Sequence, residues 1–285
     1  FARILPLSSI EAVNLDNNHT LDYGKRGKTS TVEALTGAGV HVFDELTPYI
    51  FEKDGIKIAF FGMQRVHFFT LREQLKEQIR ILREEEGVNA IIFAQHAGTE
   101  YSSQHTNAQI DLAHKLIDMG ADFIAGSHPH VVQGLEVYNG RSIFYSMGNF
   151  CFGGNSSPSD MDTMIYQQTF TIDADGVKKD NVTNIIPCSI SSAAYDGYNN
   201  YQPTPAEGDE ATRILGKINE RSSWISTAEG STFTAKYNSN NDSQSSSADT
   251  AASDSDIVDM NSSASDDTDA ETYDESYDTD NSDAE

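Results

Sequence analysis

The run Ala90-Ile91-Ile92-Phe93-Ala94 constrains the fold more than any other stretch of the chain. Five successive apolar residues leave no polar face, so a strand here must be covered on both sides, as strands of parallel sheets are. Amphipathic segments flank it. Leu71, Leu75, Ile79 and Leu82 recur at helical spacing ahead of it and predict a helix from about Leu71 to Glu85; Ile110, Ala113 and Leu116 predict another from about Thr106 to Met119, stopped by Gly120. A second buried strand then runs from Ala121 into Gly126. Strand, helix, strand is the pattern of an α/β layered fold.

The rest of the chain fits around that unit. Ser8 to Leu15 reads as a strand, Lys25 to Ala38 as a helix ended by Gly37 and Gly39, and Tyr49 to Lys53 with Ile56 to Gly62 as a hairpin about Asp54-Gly55. Beyond Tyr138 the texture turns to β at Arg141–Phe152, Met164–Ile172 and Asn181–Ser191, and a last helix is expected from about Gly208 to Arg221. The expected fold class is α/β, a layered sandwich of two mixed sheets flanked by helices, the second sheet the more antiparallel.

Charge divides the chain. Its 285 residues carry 44 acids against 19 bases, a net charge of −25, which excludes a nucleic-acid backbone as the main partner. Sixteen of those acids lie between Ser226 and Glu285, a segment with few core-forming residues; two units are therefore expected, a folded body over 1–225 and an acidic disordered tail over 226–285. No run approaches the roughly 20 apolar residues of a membrane helix, and no secretory signal opens the sequence. The first residue, Phe1, points to a fragment or processed form. Cys151 and Cys188 read as buried free thiols, with pairing open if the protein is exported.

Four of the eight histidines fall just after predicted strands. His19 follows the first in Asn17-Asn18-His19-Thr20-Leu21-Asp22, His96 ends the Ala90 run, and His128-Pro129-His130 follows Gly126. In layered α/β sheets ligands collect beyond the carboxyl ends of strands, where neutral imidazoles suit zinc, manganese or iron. Pro129 is expected to hold His128 in an extended conformation. Asn18 offers a neutral oxygen ligand, and His19 an acid that Asp22 can orient. Glu100 reads either as a nearby acid or as a helix-approach carboxylate, Gln133 as a polar residue within reach of the site, and His41, His67, His105 and His114 as surface residues. Taken singly, each stretch also reads as a polar turn; their convergence on successive strand ends points to a site.

Asn17 to Gly24, His96 to Tyr101, Gly126 to Gln133 and Tyr145 to Phe150 together resemble the calcineurin-like metallophosphoesterase superfamily, and more closely the CapA family of poly-gamma-glutamate capsule synthesis proteins. That family's pattern combines Asn-Asn-His-x-x-Asp-x-Gly, His-Trp-Gly-x-Glu-Tyr, Gly-x-His-Pro-His-x-x-Gln and Tyr-Ser-x-Gly-Asn-Phe. The resemblance covers about Ser8 to Ser192. It implies a metallophosphoesterase-like fold with Asn18, His96 and His128 on one divalent metal, His130 on its neighbour, and His19 with Asp22 as the acid. Glu100 and Gln133 would stand behind them or meet substrate. Ala97 replaces the family's tryptophan. The strands that carry bridging carboxylates in the family have no counterpart here, so a fold incomplete at its amino terminus is expected, with at most one metal (Mn, Zn or Fe) where an intact parent would hold two.

Three functions follow from the resemblance: a protein of capsule biosynthesis or export handling an anionic polymer, a metal-dependent phosphoester hydrolase, or a non-catalytic α/β domain. It also implies an extracytoplasmic, cell-surface location, membrane anchoring through a missing amino-terminal segment, and other capsule-synthesis membrane proteins as partners.

Overall fold

The structure, a computed structural model, describes residues 1–174, 176–178, 182–194 and 198–223. The acidic segment from Ser226 to Glu285 lies outside the described residues. A single helical turn, α1 (Ile4–Leu7), leads into β1 (Ala12–Asn14), and α2 (Gly24–Gly37) returns the chain to β2 (His41–Phe43), parallel to β1. The strand predicted from Ser8 is therefore shorter, because the Ser8 and Ile10 amides close the helical turn onto the Ile4 and Leu5 carbonyls.

The hairpin β3 (Tyr49–Lys53) and β4 (Ile56–Gln64) is followed by α3 (Arg65–Glu84), β5 (Ala90–His96), α4 (Asn107–Asp118), β6 (Phe123–Ser127), β7 (Leu135–Tyr138) and β8 (Arg141–Phe144). These six strands form one mixed sheet in the order β3-β4-β5-β6-β8-β7, with β4, β5, β6 and β8 parallel and an antiparallel strand at each edge. The Ala90 run is central, as its lack of a polar face requires. The helix α4 starts where Thr106 and Gln109 form a reciprocal capping box.

On one face, α3 and α4 bury Leu75, Ile79, Leu112 and Leu116 against Phe61, Ile91, Phe93 and Ile124, with Phe61 and Phe93 stacked 5.0 Å apart. A second layer comprises β9 (Asp162–Thr169), the small hairpin β10 (Ile172–Asp173) and β11 (Gly176–Val177), β12 (Val182–Ser189), β13 (Thr204–Pro205) and α5 (Gly208–Ser223). The strands β13, β12 and β9 form an antiparallel sheet, and its core joins Met164 and Ile185 to Ile214 and Ile218 of α5 and to Leu135 and Phe144 of the first sheet. The strand predicted over Arg141–Phe152 stops at Phe144; the backbone turns at Gly148, whose φ is +76°.

The α/β layering read from the sequence is what the chain adopts. Several local readings differ. His41 sits on β2 and stacks on Tyr49; His67 pairs with Glu45 at 2.9 Å; His105 stacks on Tyr145; and His114 lies 3.0 Å from the buried carboxylate of Glu136. His41 and His67 are exposed, as expected, whereas His105 and His114 are half-buried, each held by a partner distant in sequence. Both cysteines are free, but only Cys188 is buried.

Candidate functional site

Parallel pairing sets the carboxyl ends of three strands level, with Gln64 of β4 beside His96 of β5 and His96 beside Ser127 of β6. His96 is the last residue of its strand, and His128 is the first residue past its own. Gly126 permits this packing, since a Cβ there would collide with the carbonyl oxygens of Phe144 and Tyr145. The turn after β1 supplies the remaining groups. Asn17 accepts the His19 amide at 2.9 Å, and the Thr20 hydroxyl donates to the Leu15 carbonyl, so a turn of exposed residues is tied down by its own side chains.

Four of the expected residues come together. His96 Nε2 lies 3.0 Å from Asn18 Oδ1, although 78 positions separate them. The His96 and His128 rings are 4.6 Å apart between centroids, and those of His128 and His130 6.4 Å. On the far side of its ring, His96 Nδ1 is 3.1 Å from Ser127 Oγ, whose hydroxyl donates to the Gln95 carbonyl. The Asn18 oxygen can only accept, so Nε2–H donates in this contact; moving that proton to Nδ1, beside Ser127, would free Nε2 as a ligand. Burial, reinforced by His128, His130 and His19, pushes His96 down to about 4; burial also lowers His128. Both rings are neutral at pH 7, the state a metal requires.

His19 Nδ1 is 2.9 Å from Asp22 Oδ2, and both side chains are exposed. The carboxylate fixes the ring and leaves Nε2 outward. Glu100 is exposed beyond β5, and its charge opposes the lowering at His128. Gln133 is fully buried: it accepts from Gln109 at 2.8 Å and donates to the Ser102 and Gln104 carbonyls, fastening the loop that follows Glu100 and Tyr101.

The expectation that Pro129 holds His128 extended is overturned. His128 has φ +103° and His130 φ +60°, so both histidines sit in backbone regions that side chains disfavour by roughly 1–3 kcal/mol each. The Ala97 amide donates to the Ser127 carbonyl and the Tyr101 amide to the Pro129 carbonyl, bonds that lash the loop to the chain after β5 and enforce that shape.

Other residues here escaped the sequence reading. Asn149 accepts from His130 Nδ1 at 2.8 Å, and Tyr101 and Phe152 flank the same ring. Asp16 is 4% exposed with Oδ2 unpartnered; burial, then Glu45 and Asp44, push its carboxyl up to about 7. Asn149 lay within a quoted motif, but nothing in its spacing tied it to His130. Asp16 adjoins Asn17, and its burial depends on β4, far along the chain.

The donor set meets part of what a metal asks. Two ligands about 2.1 Å from one cation and at right angles to each other stand about 3 Å apart, which is the Asn18–His96 separation of 3.0 Å. The Nδ1 of His128 is buried without a partner. Among the described residues, however, no group of three or more His, Cys, Asp or Glu is spaced to hold a metal. The fit is therefore partial and rests on the Asn18–His96 pair.

The sequence pattern of the bacterial capsule synthesis protein PGA_cap matches residues 1–154. The chain is similar to the PGA biosynthesis protein CapA of Bacillus subtilis (strain 168), 31% identical over 169 residues that make up 53% of this chain and 44% of the relative. It is also similar to the capsule biosynthesis protein CapA of Bacillus anthracis, 32% identical over 163 residues, 49% of this chain and 39% of the relative. The match thus spans less than half the length of either relative. Among solved structures, the calcineurin-like phosphoesterase YfkN from Bacillus subtilis aligns with 78% of this chain and 73% of its own at 17% identity and a TM-score of 0.43, a loose likeness. Because the family pattern covers more than half of the 285 residues, the chain belongs to the family of the bacterial capsule synthesis protein PGA_cap.

Proposed function

We propose that the chain serves the synthesis or export of an anionic capsule polymer and that Asn18, His96 and His128, with His130 beside them, hold a divalent metal at the carboxyl edge of the main sheet. The observation that carries this reading is the 3.0 Å approach of Asn18 Oδ1 to His96 Nε2, two atoms able to ligate a metal once the ring proton shifts to Nδ1, brought together across 78 positions. Manganese, zinc or iron suits such nitrogen and oxygen donors. When bound, the metal supplies Lewis-acid polarisation of a coordinated oxygen. His19 is oriented by Asp22 through Nδ1, and its Nε2 is the ring atom left to exchange a proton with a leaving group. Glu100 and the loop fastened by Gln133 border the same edge.

A second reading, a metal-dependent phosphoester hydrolase, is favoured by the His19–Asp22 pair, because an oriented acid is needed only where a bond is broken. The relatives' names place them in capsule and PGA biosynthesis. On that footing the site of action is the cell envelope, outside the cytoplasmic membrane, with other capsule-synthesis membrane proteins as partners. Among the described residues no helix is long and apolar enough to cross a membrane.

One experiment separates the readings. Purified protein and its His128→Ala variant are assayed with manganese for turnover of a phosphomonoester and a phosphodiester, and for binding of poly-gamma-glutamate. Polymer binding without turnover supports the capsule role, and metal-dependent turnover lost in the variant supports the hydrolase. Absence of both polymer binding and turnover would defeat both.

A further inference from the structure

A cleft of about 690 Å³ opens beside His19, between the turn after β1 and the first half of α2. Asn17, His19 and Tyr23 line it from the turn, and Arg26, Lys28 and Ser30 from the helix. Its charge runs against the composition of the chain. In residues 1–225, 28 acids (44 − 16) still outnumber 18 bases (19 − 1), yet two cations and no carboxylate line this wall. Of the carboxylates close to the cleft residues in the chain, Asp22 is engaged by His19 and Asp16 is buried outside the wall, while Asp44 is taken by Lys28 at 3.1 Å.

Arg26 differs from its neighbours. Lys28 is committed to Asp44, whereas the Arg26 guanidinium has no ion pair or hydrogen bond among the described residues, and its planar set of donors is free. The opposite wall is stiff, because Asn17 and Thr20 pin the turn that carries His19. His19 Nδ1 is held by Asp22, so the free ring nitrogen is Nε2. Leu15 and Tyr23 add apolar surface. A fork of donors over an apolar floor suits a carboxylate on a short methylene stem better than a bare oxyanion, since the stem has surface to cover.

We infer that this cleft is a carboxylate subsite, in which Arg26 anchors one acidic unit of an anionic polymer beside His19. The inference rests on the proposed function only in taking the polymer as ligand. Lys25 provides the internal control, being exposed, adjacent in sequence, of equal charge, and absent from the cleft wall.

The test is calorimetric titration of the full chain, Arg26→Gln and Lys25→Gln with γ-linked oligoglutamate, with oligoglutamine and inorganic phosphate as parallel arms; circular dichroism checks the fold of each variant. The subsite predicts that oligoglutamate binds, that oligoglutamine does not, and that Arg26→Gln weakens binding about tenfold, the effect of losing a charge-assisted hydrogen-bond pair. Lys25→Gln should cost less than about twofold, as a screened surface charge does. Equal losses in the two variants overturn the subsite alone, by reducing the attraction to a diffuse field. Phosphate that displaces the oligomer and loses its own binding in Arg26→Gln overturns the carboxylate assignment in favour of a phosphoryl site. If oligoglutamate fails to bind the unsubstituted chain, the subsite and the polymer reading fall together.

Discussion

Gly62 on β4 and Asp16 in the turn after β1 approach so closely that no side chain fits between them. A Cβ at Gly62 would stand 2.5 Å from Asp16 Oδ2 and closer still to Asn14 Oδ1. Asn14 Oδ1 also accepts the Asp16 amide at 2.9 Å, so the start of the turn that bears Asn18 and His19 is seated on this glycine. Replacing Gly62 by Ala should cost about 1–3 kcal/mol, the usual penalty for overpacking, and should shift the turn. Urea denaturation measures the first effect and the His19 ring resonances the second. An unchanged midpoint would mean that the turn yields freely and is not seated here.

Asp162, at the start of β9, is buried and accepts hydrogen bonds from Arg213 and Lys217 of α5. Burial alone would raise its carboxyl, but the bonds from Arg213 and then Lys217 outweigh it and hold the group below the ordinary carboxylate range. A depressed folded value contributes stability that is present above the unfolded value near 3.8 and is lost as pH falls through the folded one. Asp162→Asn should therefore destabilise the protein by about 2–3 kcal/mol at pH 7, at the low end for a broken buried pair because Arg213 is half exposed. The gap to the parent should narrow as pH falls below 3.8. Thermal melts at pH 7 and pH 2.5 that show the same difference would count against this account.

His105 lies against Tyr145 with its Nδ1 buried and unpartnered. Burial lowers its pKa, with partial opposition from the charge of Glu136. Between the folded value and 6.5 the unfolded chain binds a proton that the folded chain does not, so stability falls as pH drops below 6.5 and levels off beneath the folded value. His105→Phe keeps the stack and removes the titration. Its melting temperature should fall less than the parent's between pH 7.5 and pH 5, and an identical fall would assign the acid sensitivity to other groups.

The sequence spoke clearly wherever a signal was local. The Ala90 run, the periodicity of α3 and α4 and the Asp54-Gly55 turn each lie within one window and each placed its element, though α3 begins at Arg65 rather than near Leu71. The strand ends were legible for the same reason, so Asn18, His96, His128 and His130 could be named together. What was hidden depends on partners far along the chain. His114 meets Glu136 across 22 positions, and Asp16 is buried only because β4 passes over it. The backbone of His128 was misread because a dipeptide rule for residues before proline gave way to tertiary bonds from Ala97 and Tyr101.

Metal stoichiometry offers the sharpest test of the site. Two divalent cations 4 Å apart repel by roughly 4 kcal/mol even in water, and an anionic ligand between them is what offsets this. Asn18, His96, His128 and His130 are neutral donors; Asp22 is turned to His19, and Asp16 faces Gly62. His130 is itself turned to Asn149, with its ring centroid 6.4 Å from that of His128. Titration of the chain with manganese should give one site, weakly held. His96→Ala should weaken it by about tenfold or more, as loss of a ligand does. Asn149→Ala, which releases only His130, should leave it within about threefold. Two cations per chain, or collapse of binding in Asn149→Ala, would overturn this reading and bring His130 into the ligand set.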